Sequence, residues 1–436
     1  MSQVKAGQGP AVAVPPADAV RSQSGAAEPA RSAARLGWLD ALRGLAALAV
    51  VFQHSGPTLD DGFFTLIQRR LDPGVFGVFL FFLISGYIVP ASLERRGDLR
   101  AFWTGRLFRI YPLYLVVFVL ALVLLPAAHP GVSSWVHEHP WLSVSADGLL
   151  LQDLLGVGNG LTVGWTLGYE MIFYYLVSVL FLVGWHRRSA PVAIGFAAVA
   201  LALGGVLPSA MLMHSAGEQQ VVVATVLVLV VGALGGVLTG TRTGIRVGVL
   251  VLGLVGLVLV TLDGRAPLFE SMMILATMFT GTAIQRAERG QIRRWHAVAC
   301  CAFVFTAGLL AGVCYAGGTL SLVRTETGTA YWTGFVAAWL LFGLGMLCRR
   351  RRVPRALSRL GTISYAVYLV HVPVLRGVQW MLTDAHYSLH HHVGPELLCM
   401  VGFLAAVLLL AEALHRLVEL PGQRLGRRVL SALPAR

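Results

Sequence analysis

The sequence predicts an all-α fold: a polytopic helical membrane protein with about 10–12 transmembrane helices and both termini cytoplasmic. Three observations carry this expectation. Hydrophobic residues make up 56% of the 436 and charged residues only 13%, against roughly 25% charge in a soluble chain, and the mean hydropathy is +0.72. The charges are clustered, leaving apolar stretches near the ~20 residues that a helix needs to cross a bilayer. The basic residues are also unequally shared. Of 34, all but Lys5 arginines, 28 fall in alternate loops and the two termini, four in the opposite loops and two inside spans. That asymmetry is the one the positive-inside rule produces. The net charge of +13 therefore reports topology and speaks against a nucleic-acid partner.

In chain order, residues 1–35 are rich in Ala, Pro, Ser, Gln and Gly and read as a disordered cytoplasmic tail. No signal peptide is expected there, because Pro15, Pro16 and Asp18 break the early apolar stretch. Spans are expected near 39–57, 74–92, 111–127, 163–184, 190–207, 221–239, 247–262, 268–285, 297–315, 329–348, 361–382 and 394–416. The short ones between 190 and 285 are read as full or re-entrant segments. Basic loops 93–110, 186–189, 240–246, 286–296 and 349–360 lie on the side of the termini, and 423–436 forms a basic cytoplasmic tail. The longest opposite loop, 128–162, holds Trp135, His137, His139, Trp141, Asp147 and Asp153 and reads as a folded surface element. No internal repeat is visible, which weighs against a transporter of duplicated halves. The five cysteines show no CxxC spacing and lie in or beside apolar spans, so they read as small buried hydrophobes and no metal site is expected.

A charge in the bilayer core costs about 2.5–3.5 kcal/mol on insertion scales, so each one calls for a reason. In the first span Arg43 and His54 are eleven residues apart. They differ by roughly 20° around the helix axis and lie about 16 Å apart along it, so one face carries a permanent cation and a titratable imidazole. Ser55-Gly56-Pro57 is expected to end this helix and open backbone space beside His54. The bland alternative pairs Arg43 with Asp40 and makes His54 a helix cap. Ser85, Gly86 and Tyr87 follow in the second span, where small residues ordinarily serve packing. Arg106 and Arg109, at i, i+3 spacing at a membrane entry, are suited to clamp phosphate groups, or else are plain topology anchors. Trp165 opens the fourth span, and Thr166, Glu170 and Tyr174 share one helix face; Ser364, Tyr368 and His371 form another stripe. Single Tyr or His residues in spans are usually satisfied packing groups. Two histidines, a carboxylate and an arginine together suggest chemistry. The candidate set is His54, Arg43, Glu170 and His371 for catalysis; Arg106, Arg109 and Arg43 for an anionic co-substrate; and Ser85, Tyr87, Trp165 and Tyr368 for the cavity wall.

The stretches LDALRGLAALAVVFQHSG, FFLISGYIV, FWTGRLFRIYP, WTLGYEMIFYY, ISYAVYLVHVP and the closing VELP, in this order over about residues 36–422, resemble the acyltransferase 3 family. Its members are integral membrane enzymes that O-acylate lipopolysaccharide O-antigens, other glycans and macrolides. Two expectations set this chain apart: more spans than the ten usual in the family, and no soluble esterase-like domain after the VELP, such as some members carry. The resemblance implies a multi-pass protein of the bacterial cytoplasmic membrane. It would transfer an acyl group, commonly acetyl, from acyl-CoA as co-substrate to a hydroxyl, with no permanently bound cofactor. It also carries over the Arg43–His54 motif as functional core, with Arg106, Arg109, Glu170 and His371 as further candidates. His54 is suited to serve as general base or as acyl carrier. A glycan or lipid-linked glycan is the first acceptor class, a secondary metabolite such as a macrolide the second. A secondary transporter or exporter is the reading from another class, and a non-catalytic scaffold leaves the buried charges without a reason.

Overall fold

In the computed structural model the described residues are 17–59, 61–128, 138–158, 160–206, 211–264, 266–315, 328–384 and 393–432, and no side chain upstream of Gly37 is described. Among them lie helices and no strand. In chain order these are α1 (Ala17–Leu59), α2 (Asp61–Gln68), α3 (Pro73–Arg96), α4 (Leu99–Ala128), α5 (Pro140–Leu149), α6 (Trp165–Leu182), α7 (Ser189–Leu203), α8 (Ala216–Thr239), α9 (Arg242–Val258), α10 (Leu268–Glu288), α11 (Arg294–Tyr315), α12 (Gly328–Cys348), α13 (Arg355–Thr362), α14 (Ser364–Asp384), α15 (Val393–Leu414) and α16 (Leu420–Ala432). Trp135 and His137 lie outside the described residues.

Each of the twelve expected spans falls on a helix. Eight helical stretches are long and apolar enough to cross a membrane: α3, α4, α6, α8, α9, α11, α12 and the run from α15 into α16. The protein is thus an all-α, multi-pass membrane protein. The four remaining helices fall short for physical reasons. α7 has only 15 residues, and α1, α10 and α14 carry polar side chains that other helices enclose. Helix α10 is the extreme case, with 18 of its 21 residues buried. It crosses α3 where two glycines meet backbone: a Cβ on Gly86 would lie 1.8 Å from the Met278 carbonyl oxygen, and one on Gly281 2.3 Å from that of Leu83. Only glycine permits so close an approach.

Local sequence explains the helix ends. Asp72 caps α3, its Oδ1 accepting from the Val75 N–H at 2.8 Å, with Pro73 at the first helical position. Gly97 closes α3 in the left-handed region at φ 67°. Helix α4 then begins at Leu99. The basic loop expected over 93–110 is therefore almost wholly helical, and Arg100, Arg106 and Arg109 stand on the first turns of α4. The arginines there do not break helix periodicity, since Arg is a good helix former. Ser215 and Glu218 form a reciprocal capping box at the start of α8. Between α15 and α16 the chain widens into a π-turn, His415–Glu419. There buried Glu419 accepts from His415 Nδ1 at 2.7 Å and from Gln423 Nε2 at 3.1 Å. This tie belongs to the VELP stretch and swings α16 against α4, where Gly422 and Gly426 pack on Pro112 and Phe108. The expected C-terminal tail is thus helical as far as Ala432.

Candidate active site

Helix α1 packs between α3, α13 and α14, and this brings His54 against His371. The two rings lie 5.2 Å apart at 48°, and His54 Nδ1 is 3.3 Å from His371 Nε2. Their other partners fix the tautomers. His54 Nδ1 lies 2.9 Å from the Val50 carbonyl oxygen and His371 Nδ1 3.2 Å from that of Val367. A carbonyl only accepts, so each Nδ1 carries a proton. Neutral His371 then offers its Nε2 lone pair to the same Nδ1–H of His54. What remains is His54 Nε2, a lone pair held in place from behind by two acceptors. His371 is fully buried and His54 half-buried.

Below this pair lies a cavity of about 530 Å³ whose wall includes Arg43, Ser85, Thr166, Glu170, Ser364 and Tyr368. Helix geometry accounts for the set: Thr166 and Glu170 come from one face of α6, Ser364 and Tyr368 from one face of α14. Phe81, Phe82 and Leu167 make the rest of the lining largely apolar. Tyr368 joins cavity to histidines. Its ring stands edge-on to His371 at 6.0 Å, and its hydroxyl donates to the Val163 carbonyl at 2.9 Å and lies 2.8 Å from Thr166 Oγ1. At the other end Arg43 faces Glu170, Asp40, Tyr174 and Arg109 at electrostatic range. It makes no ion pair within 4 Å among the described residues, so its guanidinium donors remain available to the cavity.

A second pocket, about 900 Å³, opens beyond this cluster between α3, α4 and α16. Five arginines line it: Arg95, Arg96, Arg106, Arg109 and Arg427. None of the five pairs with a carboxylate among the described residues. Arg106 is buried under the pocket floor, donating to Ser92 Oγ at 2.8 Å and reaching the Tyr174 hydroxyl at 3.5 Å. Its guanidinium also lies over the Phe102 and Tyr174 rings at 5.2 and 5.0 Å. The Tyr174 hydroxyl donates in turn to Glu170. A continuous polar line thus runs from the arginine pocket through Arg106, Tyr174 and Glu170 to the Arg43 cavity.

Among the expected site residues, the structure gathers Arg43, Ser85, Glu170 and Tyr368 around the cavity, pairs His54 with His371 next to Tyr368, and puts Arg106 and Arg109 in the separate arginine pocket. Tyr87 and Trp165 sit elsewhere. Tyr87 donates its hydroxyl to Glu288 and packs edge-on to Trp38 at 5.8 Å, and Trp165 packs edge-on to Tyr169 at 6.0 Å. The open backbone space expected after His54 is absent. Helix α1 continues through Pro57 to Leu59, because a proline so near the end interrupts only one hydrogen bond, and the Phe64 ring fills the place where Gly56 lacks a side chain. Arg95, Arg96 and Arg427 were not expected at the site. In sequence they look like every other loop arginine, and only the return of α16 onto α4 makes them neighbours.

Residues 36–415 match the family model described as an acyltransferase domain. A curated relative, acyltransferase MdmB of Streptomyces mycarofaciens, is 31% identical over 167 residues, which is 36% of this chain and 41% of that protein. The chain therefore spans about two fifths of the length of that relative. No solved structure matches the chain. The matched residues take in the histidine pair, the cavity and four of the five pocket arginines, and on that coverage the chain belongs to the acyltransferase 3 family.

Proposed function

We propose that the protein transfers an acyl group, in the first instance acetyl, from acyl-CoA to a hydroxyl of a glycan or lipid-linked glycan. The observation that carries the reading is a single line of groups. Five arginines without a carboxylate partner among the described residues line a pocket that Arg106, Tyr174 and Glu170 join to a largely apolar cavity, and Tyr368 in that cavity's wall packs against His371 of the histidine pair. Coenzyme A is a polyanion bearing a pyrophosphate and a further phosphate on a long, neutral thiol arm. The arginine pocket complements the first part, and the narrow cavity suits the second. The ~16 Å rise from Arg43 to His54 approximates the reach of that arm. The basic loops, and with them the arginine pocket, face the cytoplasm in this reading, where acyl-CoA is available.

The reaction then proceeds by direct transfer. His54 Nε2 takes the proton of the acceptor hydroxyl as its oxygen attacks the thioester carbonyl. The tetrahedral intermediate collapses, the carbon–sulfur bond breaks, and the proton passes from His54 Nε2 to the departing thiolate. His371 acts as a positioning residue: its Nε2 accepts from His54 Nδ1–H, which holds the ring and favours the positive charge that His54 gains in the transition state, as an orienting carboxylate does in a hydrolase triad.

The test uses purified protein with radiolabelled acetyl-CoA. In the absence of acceptor, protein quenched rapidly with denaturant at neutral pH should carry no label, whereas an acyl-histidine route would leave up to one labelled, acid-labile site per chain. Mass spectrometry of surface glycans and of small-molecule extracts from a deletion strain identifies the acceptor class. Glycans that lose an acyl group support the reading. Acyl loss confined to a secondary metabolite would replace the acceptor while leaving the chemistry intact.

A further inference from the structure

Away from the cavity and the arginine pocket, a groove of about 1690 Å³ opens sideways between α11 and α12, with the end of α10 as its floor. Its two ends differ in chemistry. One is lined by Arg294, Arg349 and Arg350 together with Glu288; the remainder is walled by apolar side chains such as Val298, Phe305 and Leu340. The arginines come from the start of α11 and the end of α12, so the charged end lies at the basic-loop side of the molecule. From Arg294 to Phe305 is eleven residues, about 16 Å of helix, roughly half the ~30 Å hydrocarbon thickness of a bilayer.

The charges do not cancel. Glu288 is engaged by Arg349 at 3.2 Å and by the Tyr87 hydroxyl. Arg294 and Arg350 are exposed and have no carboxylate partner within 4 Å among the described residues. The three arginines and one glutamate leave two positive charges at the mouth. Beside Arg294, Trp295 is 60% exposed and stacks on His296 at 3.8 Å. An exposed tryptophan with a polar neighbour is the usual marker of headgroup depth in a membrane protein. The apolar wall is also open: Val298 and Leu340 are 67% and 66% exposed, on a face that the described residues leave uncovered.

We propose that this groove binds an anionic phospholipid of the leaflet on the basic-loop side. The headgroup phosphate is held between Arg294 and Arg350, and one acyl chain lies along Val298, Phe305 and Leu340. A zwitterionic lipid lacks the net charge that the mouth complements, and a soluble anion would leave the apolar remainder of the groove without an occupant. The site is separate from the acyl-transfer line and does not depend on it.

The experiment is native mass spectrometry of the full-length, detergent-purified protein, titrated with phosphatidylglycerol or phosphatidylcholine. Wild type should retain one phosphatidylglycerol at least ~10-fold more strongly than phosphatidylcholine. Losing charge-assisted contacts of about 1.5–3 kcal/mol corresponds to roughly 10- to 100-fold, so Arg294→Gln/Arg350→Gln should lose that preference. Ala302→Trp, at an exposed position on the groove wall, fills the apolar part at unchanged charge and should weaken retention as well. Equal retention of the two lipids by wild type overturns the site, whatever the variants do. So does an unchanged phosphatidylglycerol adduct in the double glutamine variant. Full retention by Ala302→Trp would mean that basic surface charge alone holds the lipid, and would overturn the groove.

Discussion

His54 is the residue on which turnover should depend, and its geometry makes the expectation specific. Nδ1 is committed to Val50 and His371, so proton transfer rests on Nε2. His54→Gln keeps a hydrogen-bonding amide but no base and should lose about 10²–10⁴-fold in kcat, with membrane insertion and melting temperature near wild type. Near-normal turnover of folded His54→Gln enzyme would move the chemistry elsewhere. At His371 the effect should depend on what is substituted. His371→Leu removes the acceptor behind His54 and should lower kcat with little change in KM, whereas His371→Gln retains an acceptor and should recover part of the rate. Arg106→Gln/Arg109→Gln should raise the KM for acyl-CoA by roughly 10- to 100-fold and leave that for the acceptor nearly unchanged; an unaltered acyl-CoA dependence would reduce the pair to topology anchors. Residue faces were legible because helix periodicity is strict. Thr166 with Glu170, and Ser364 with Tyr368, read as shared faces and do line one cavity. The histidine pair was not legible as a pair, since 317 residues separate its members and no local pattern states which helices touch.

Individual elements are held by a few unforgiving contacts. At the α3–α10 crossing a Gly86→Val side chain would begin 1.8 Å from a backbone oxygen, a place where nothing flexible can yield. Overpacking of this kind costs about 1–3 kcal/mol and sometimes more. The variant should show a lower melting temperature in detergent and a reduced yield of inserted protein, while Gly377→Ala, where a Cβ meets nothing within 4 Å, should be neutral to mildly stabilising. Helix α5 docks through Asp147, which is fully buried and accepts from the Tyr114 hydroxyl at 3.1 Å. Burial pushes its carboxyl from the ordinary 3.8 up to about 7, against the opposing hydrogen bond from Tyr114. The folded state thus holds this proton more tightly than the unfolded chain. The stabilisation is complete below about pH 4 and declines until the pH passes about 7. Asp147→Asn should therefore melt higher than wild type at pH 8 and equal to it near pH 4; parallel melting curves across that range would rule out Asp147 as the titrating group. The span near 74–92 was readable from its apolar length, while the Asp72-Pro73 cap that fixes the start of α3 emerges from the structure. The continuation of α1 past Pro57 and the helicity of 99–110 were harder to read, because proline near a helix end and arginine in a first turn both suit helix and loop.

For the whole molecule, the distribution of arginines sets an orientation that can be measured. An introduced Arg351→Cys, in a chain whose native cysteines are replaced, should resist a membrane-impermeant maleimide applied to intact cells and react once the cells are opened; labelling from outside would invert the topology. Fold class was readable because bilayer thickness sets a minimum apolar helix length, which eight of the twelve expected segments meet among the described residues. What composition alone conceals is which helices touch lipid. Eight helical stretches qualify as membrane spans by themselves, but α1, with Asp40, Arg43, Gln53 and His54, does not. A segment with such groups partitions poorly from the translocon into hydrocarbon, each central charge adding about 2.5–3.5 kcal/mol against insertion. The neighbours that enclose it arrive later in synthesis: α3 soon after, α13 and α14 only some three hundred residues on. Biogenesis must therefore hold α1 at the lateral gate, or let it enter and leave, until more than three quarters of the chain has been made. The helix that carries Arg43 and His54 is thus among the first synthesised and among the last to settle in the bilayer.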